Sequence, residues 1–235
     1  MAEQLRHTDA EILHVDLSAA SIEIAKQRAA IRHLDNIKWV QSSLLDIPKL
    51  DIGRFDYINC SGVLHHLANP DEGLAILSGA LKDNGTMGIM VYAQYGRTAI
   101  YQMQELMRLI NRDNPDSQRK IKRCRSMLMD LPNTNWLKIS ANHYDIMSPS
   151  TINNDNEIYD IFLHSQDRAY TIPQLYKFAE GSDLRIIQLI PSGESLEGMR
   201  LYDPSLYLND NVLLEAVRQL DLPRSRLSRN YCVAR

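Results

Sequence analysis

The first ninety-odd residues alternate short β-like runs with helical patterns, and this order constrains the fold more than any other feature of the chain. Strand, helix, strand in sequence cannot close into a hairpin and calls for crossover connections, which produce parallel sheets flanked by helices. Glu11 to Val15 (EILHV) is the first strand candidate, followed by Asp16-Leu17 and a helix over Ser18 to His33 that Ser18 can cap, with Ile22, Ile24, Ala25, Ala29 and Ile31 on its apolar side. Asn36 to Gln41 and Phe55 to Cys60 are the next strands. Pro70 to Lys82 reads as a helix with proline at its start, ended by an Asp83-Asn84-Gly85 turn, and Thr86 to Tyr92 as a fourth strand. With 235 residues, 44% of them hydrophobic, the chain can fill one large core.

From Arg97 the pattern changes. Thr98 to Ile110 and Ser117 to Met129 read as two helices of an inserted cap, and the basic run Arg119, Lys120, Lys122, Arg123 and Arg125 as a solvated helix face. Residues 133 to 167 show little periodicity and read as mainly loop, with one short segment at Ile158 to His164. The sheet theme returns with a helix over Ile172 to Glu180 and a strand over Leu184 to Ile190. A helix over Val212 to Leu220 and a short extended piece, Tyr231 to Ala234, complete the chain. The expected fold class is α/β, a doubly wound, mostly parallel sheet, divided into a core over 1–96, a helical and loop cap over 97–170 and a completion of the sheet over 171–235.

Composition excludes several functions. With 26 basic against 29 acidic residues, the net charge of -3 does not suit a protein driven onto nucleic acid by phosphate attraction. Three scattered cysteines, Cys60, Cys124 and Cys232, fit neither a disulfide framework nor a paired zinc motif, and point to a reducing, cytoplasmic-type compartment. No apolar run reaches the roughly 20 residues needed to cross a bilayer, and the N-terminus lacks the layout of a signal peptide.

Ligands of open parallel sheets bind at the carboxyl ends of the strands. Asp16 stands at the first end, where a carboxylate can accept both hydrogen bonds of a ribose diol; it also suits an N-cap or loop role. Asp46, between Leu45 and Ile47, stands at the second and suits an exocyclic amine with apolar neighbours around a flat ring, or an ordinary turn. At the third, Cys60-Ser61-Gly62 lets a ligand approach the backbone, ahead of His65 and His66. Adjacent histidines on a helix point about 100° apart, so no metal centre is expected of the pair.

Taken together, VDLSAASIEIAKQRA, SSLLDIP and FDYINCSGVLHHLANPDEGLAILSGALKDNGTMGIMVY resemble segments of the class I S-adenosylmethionine-dependent methyltransferases, over about residues 9 to 96. The resemblance implies a seven-stranded sheet with S-adenosylmethionine as cofactor. Asp16 would bind the ribose, Leu17 would lie on the adenine, Leu45 and Asp46 would meet its edge, and Cys60, Ser61 and Gly62 would pass the methionine part. The acceptor is expected to be a small molecule shaped by the cap, including HSQDRAY. If a base is needed, His65 is the first candidate, then Tyr92 or Tyr95. Family members begin with a strand and a glycine-rich turn, and no such turn precedes Asp16 here, where fifteen residues suffice for the end of a helix (Ala2 to His7) and one strand. The chain is therefore expected to start inside the first crossover helix, as a truncated form, with the central strand re-paired, replaced or encoded upstream. Two other readings are a non-catalytic interaction protein retaining the fold, and a nicotinamide-dependent dehydrogenase. The second leaves Asp46 and CSGVLHH unexplained.

Overall fold

A computed structural model describes residues 1–140, 145–189 and 231–234. The expected helix over 212–220, Tyr144 and the Cys232 side chain lie outside the described residues. The architecture is α/β with a Rossmann-like arrangement at its centre, and six strands are described in two sheets. Strands β1 (Ile12–Asp16) and β2 (Ile37–Gln41) pair in parallel, Asp16 opposite Gln41. Helix α1 (Ala19–Ile31) joins them, its first turn capped by the Ser18 hydroxyl accepting from Ser21 N at 3.2 Å. Strands β3 (Phe55–Ser61), β4 (Leu81–Met90), β5 (Arg185–Leu189) and β6 (Tyr231–Ala234) form a second sheet ordered β3-β4-β6-β5. Strands β3 and β4 are parallel, whereas β6 runs antiparallel to both neighbours.

The single seven-stranded sheet that the family likeness implied is not found among the described residues. Strands β1 and β3 do not pair, and no described strand lies between them. The consequence is visible in α1, where Ile22 and Ala29 are buried but Ile31 is 77% exposed. A helix resting on two strands has less apolar surface to cover its stripe than one resting on a full sheet. The two sheets are tied instead through a 3-10 turn, Leu44–Lys49, whose Leu44 and Ile47 pack on the core of the larger sheet.

Helix α2 (Pro70–Gly79) connects β3 to β4; proline opens it, and Asn69 accepts from Glu72 N at 3.3 Å. It ends earlier than its sequence pattern predicts, because Leu81 already belongs to β4. The expected Asp83-Asn84-Gly85 turn is absorbed into that strand by a register shift opposite Phe55 to Tyr57. Gly85 makes this possible: a Cβ there would sit 3.0 Å from the Lys82 and Phe55 carbonyl oxygens.

The cap has its own hydrophobic cluster. Helices α3 (Thr98–Ile110) and α4 (Ser117–Asp130) bury Ile100, Met103, Met107, Ile121, Cys124 and Leu128 against Ile158 and Phe162. The described residues between 133 and 167 are not mainly loop. They carry the short helices α5 (Trp136–Ser140), α6 (Pro149–Ile152) and α7 (Asp155–Ile158), and a five-residue π-helical turn, Tyr159–Leu163. Ser148 and Asn154 cap α6 and α7. Nor is the basic run of α4 wholly solvated. Arg123 donates to the Ile110 carbonyl at 2.8 Å, and Arg125 donates to the Ile152 carbonyl at 2.8 Å and to Asp155 at 2.5 Å, which staples α4 to its neighbours.

Helix α8 (Ile172–Glu180) begins with a reciprocal capping box of Thr171 and Gln174 and buries Leu175, Phe178 and Ala179 on the main core. Among the described residues no helix is long and apolar enough to cross a membrane.

Candidate functional site

Two parallel strands end together at Asp16 and Gln41, and Ser42 N donates to the Asp16 carbonyl at 3.0 Å, holding the two exits side by side. One carboxylate oxygen of Asp16 accepts from Ser18 N at 2.7 Å, so the side chain closes the local turn and leaves its other oxygen for a ligand. Asp46 sits in the 3-10 turn that follows β2, capped by Ser43, and one of its oxygens pairs with Lys49 at 2.5 Å. Leu17 is 72% exposed and Leu45 38% exposed. Large apolar side chains left in solvent beside two carboxylates suit the face and edge of a planar base.

Strand β3 ends in Cys60-Ser61-Gly62. Gly62 has φ of 76°, a left-handed conformation that favours glycine, and its N–H donates to the Met90 carbonyl at 3.2 Å. This closes the exit of β3 against that of β4. A Cβ on Gly62 would meet only the flexible Met90 Cε at 3.4 Å, so the strain of a larger residue comes from the left-handed backbone. Ser61 is exposed and donates to Asn59 Oδ1 at 3.2 Å. Cys60 is buried, and burial pushes its thiol up to about 12; the same cause acts on Cys124 in the cap. The thiolate is the nucleophile. Iodoacetamide at pH 8 should therefore leave both unmodified in the native chain and alkylate both in urea, read by peptide mass spectrometry; native labelling of Cys60 would contradict this burial.

Beyond Gly62, a 3-10 turn (Leu64–His66) carries the two histidines. The expectation that their rings diverge is not met: the centroids lie 4.1 Å apart. A backbone angle between neighbouring Cβ directions does not fix where rings two bonds further out settle, and here they settle within a stack. Tyr92 lies 4.0 Å from His65, His164 lies 3.9 Å from His66, and the Arg97 guanidinium carbon lies 3.5 Å above the Tyr92 ring.

His65 is fully buried, and burial, followed by the repulsion of His66, Arg97 and His164, lowers its pKa to about 3. The Met90 backbone beside it opposes the shift weakly, but neither ring nitrogen reaches hydrogen-bond geometry. A group this reluctant to take a proton is poorly matched to general-base work near neutrality. It suits a ligating or positioning role better.

Arg97 and Gln104, which the sequence did not single out, complete the cluster with Tyr101 of the cap and Asp167 of the HSQDRAY segment. Arg97 is only 7% exposed, with Nε and Nη2 buried and unpartnered. Tyr101, one helical turn later, has its hydroxyl pKa raised, first by burial and then by Asp167. Asp167 accepts from Gln104 Nε2 at 3.0 Å through one oxygen and leaves the other buried without a partner. Arg97, Tyr101 and Gln104 lie at i, i+4 and i+7, the one-face spacing that could have exposed them.

Of the HSQDRAY segment, His164 and Asp167 join the cluster, but the two residues most suited to a substrate do not. Arg168 pairs with Asp71 at 2.5 Å, and Tyr170 is buried with its ring 4.9 Å from Phe178.

Residues 1–87 match the family model Methyltransf_12, a methyltransferase domain. With the fold, this match makes residues 1–87 similar to the Rossmann-like methyltransferases, solved examples of which carry S-adenosylhomocysteine, the product left by S-adenosylmethionine. The chain is 35% identical over 181 residues to the uncharacterized protein syc1184_c of Synechococcus sp., covering 76% of this chain and 42% of that protein. It is 30% identical over 93 residues to the ubiquinone biosynthesis O-methyltransferase of Glaesserella parasuis, covering 38% and 39% of the two chains. Among solved structures, PKMT2 from Rickettsia typhi in complex with AdoHcy superimposes with a TM-score of 0.64 at 21% identity, over 95% of this chain and 44% of that one. The magnesium protoporphyrin IX methyltransferase of Synechocystis with bound SAH gives 0.50 at 11% identity, over 100% and 68%. The chain thus spans less than half the length of these two curated relatives and of PKMT2.

Proposed function

We propose that the chain binds S-adenosylmethionine across the exits of β1, β2 and β3 and takes part in methyl transfer to a small-molecule acceptor seated under a cap formed by residues 97–170. The observation that carries this reading is the Leu44–Lys49 turn. It holds Asp46 at the exit of β2, beside that of β1, while Leu44 and Ile47 anchor it on the core of the larger sheet. Asp16 would bind the ribose through its free oxygen, Asp46 the adenine edge, and Leu17 and Leu45 the ring faces. Cys60, Ser61 and Gly62 would pass the methionine part. The exposed leucines and the glycine-only turn fit such a ligand.

When bound, the cofactor supplies an electrophilic methyl group. The chain's own task is alignment of the acceptor and exclusion of water. Tyr92, which lies between His65 and Arg97, would line the acceptor side, with His65 as a positioning residue.

Calorimetric titration of the chain with S-adenosylhomocysteine tests the reading. Saturable one-to-one binding is expected, weakened about 10- to 100-fold by Asp16→Ala, as loss of a hydrogen bond to a charged group implies. No saturable binding, or equal affinity in the variant, would refute it.

A further inference from the structure

We propose that His65, His66 and Asp167 form a binding site for one divalent transition-metal ion of the zinc type. The proposal does not rest on methyl transfer. Each of the three residues offers a donor atom, and these atoms lie within 4.8 Å of one another. A tetrahedral zinc ion with bonds of about 2.0–2.1 Å holds neighbouring donors about 3.4 Å apart, so only a modest contraction is required. His66 and Asp167 are both partly exposed, so the contraction does not have to come from the fully buried His65.

The second observation is the state of the donors. Neither nitrogen of the fully buried His65 has a hydrogen-bond partner in the protein, nor does one oxygen of Asp167. Buried polar atoms are normally satisfied, and a shared cation would take one His65 nitrogen and an Asp167 oxygen among them. The surroundings are those of a supported site. His66 Nδ1 lies 3.0 Å from the Gln166 carbonyl, which fixes the ring and leaves Nε2 as the lone-pair nitrogen. Gln104, itself buried, holds the second oxygen of Asp167 at 3.0 Å and the Ile161 carbonyl at 2.9 Å. Arg168 N donates to the His65 carbonyl at 2.9 Å, so the segment carrying Asp167 is clamped to the turn carrying both histidines.

Charge decides whether a cation is tolerated. Arg97 opposes it, and so does His164 if protonated. Asp167 and Asp160, the latter 3.8 Å from His66 Nε2, favour it. The fixed charges of Arg97, Asp160 and Asp167 sum to one negative, and a dication reverses that sign without stranding a large excess. Two imidazoles and one carboxylate select zinc or its first-row neighbours over magnesium or calcium, and three protein ligands leave a position open for water or a substrate oxygen.

The test uses the whole chain stripped with EDTA. Titration with zinc chloride should show one equivalent bound in calorimetry, and cobalt chloride should develop the visible absorption of a four- or five-coordinate centre. Asp167→Asn and His66→Gln should each weaken zinc binding at least tenfold with an unchanged circular dichroism spectrum. Absence of both the zinc isotherm and the cobalt band in the wild-type chain overturns the proposal. So does a folded variant that binds as the wild type does, because the ion would then sit on other surface histidines. The cobalt spectrum keeps the proposal open to refutation even where a variant fails to fold.

Discussion

Phe162→Ala should lower the unfolding free energy by about 3–5 kcal/mol, the cost of emptying a well-packed aromatic site. Phe162 is almost fully buried in the π-helical turn that follows α7, and its ring fills the cap cluster with Met107, Leu128 and Ile158. The neighbouring backbone cannot easily close the space, because the Ile161 carbonyl is held by Gln104 and α4 is stapled to Ile152 and Asp155 through Arg125. The loss should also be local. The cap cluster and the cluster of the main sheet have no buried residue in common. Hydrogen exchange of amides in 99–163 should accelerate well before that of β3 and β4. A urea midpoint shift with equal acceleration in both regions would show instead that the two clusters unfold as one unit.

The separation of these clusters bears on what a sequence can disclose. Helices α3, α4 and α8 were legible nearly to the residue, because each is long enough for a 3.6-residue apolar stripe, and α8 also carries its capping box in Thr171 and Gln174. The helices of four or five residues between Trp136 and Ile158 were not. One turn has no periodicity to read, and such turns persist only where tertiary contacts hold them, so polar caps such as Ser148 and Asn154 look like loop punctuation. The strand exits were legible as candidate ligand positions because Asp16, Asp46 and Gly62 each follow an apolar run. Their mutual arrangement depends on pairings 25 and more residues apart in sequence, such as Asp16 with Gln41. The histidine cluster was hidden for a related reason. Its members come from the exit of β3, the exit of β4, the start of α3 and the segment after the π-helical turn, and only packing of cap on sheet brings them within one stack. Local spacing correctly describes backbone directions at His65 and His66 and says nothing about Tyr92 or Asp167.

Arg97→Met should raise stability by about 1–4 kcal/mol, the range seen when buried ionic groups are replaced by apolar side chains of similar size. Among the described residues no carboxylate lies within ion-pair distance of this guanidinium, and Nε and Nη2 have no partner in the protein. Its one strong compensation is the Tyr92 face at 3.5 Å, and a cation over an aromatic ring returns about 2 kcal/mol or more when desolvated. Methionine keeps the unbranched stem and a soft contact with the same ring. The substitution separates two kinds of residue. A cation kept for packing leaves the folded chain no more stable when removed, whereas one kept for a ligand is carried at a cost that its removal recovers, as buried groups at functional sites commonly are. The same variant should bind zinc more tightly, since a fixed positive charge acting on His65 is gone, while its affinity for S-adenosylhomocysteine should change little if that ligand binds at the proposed exits of β1 to β3. A lower thermal midpoint for Arg97→Met would assign Arg97 to the structural support of the cap; a higher one with tighter zinc binding would place it among the groups that tune the cluster.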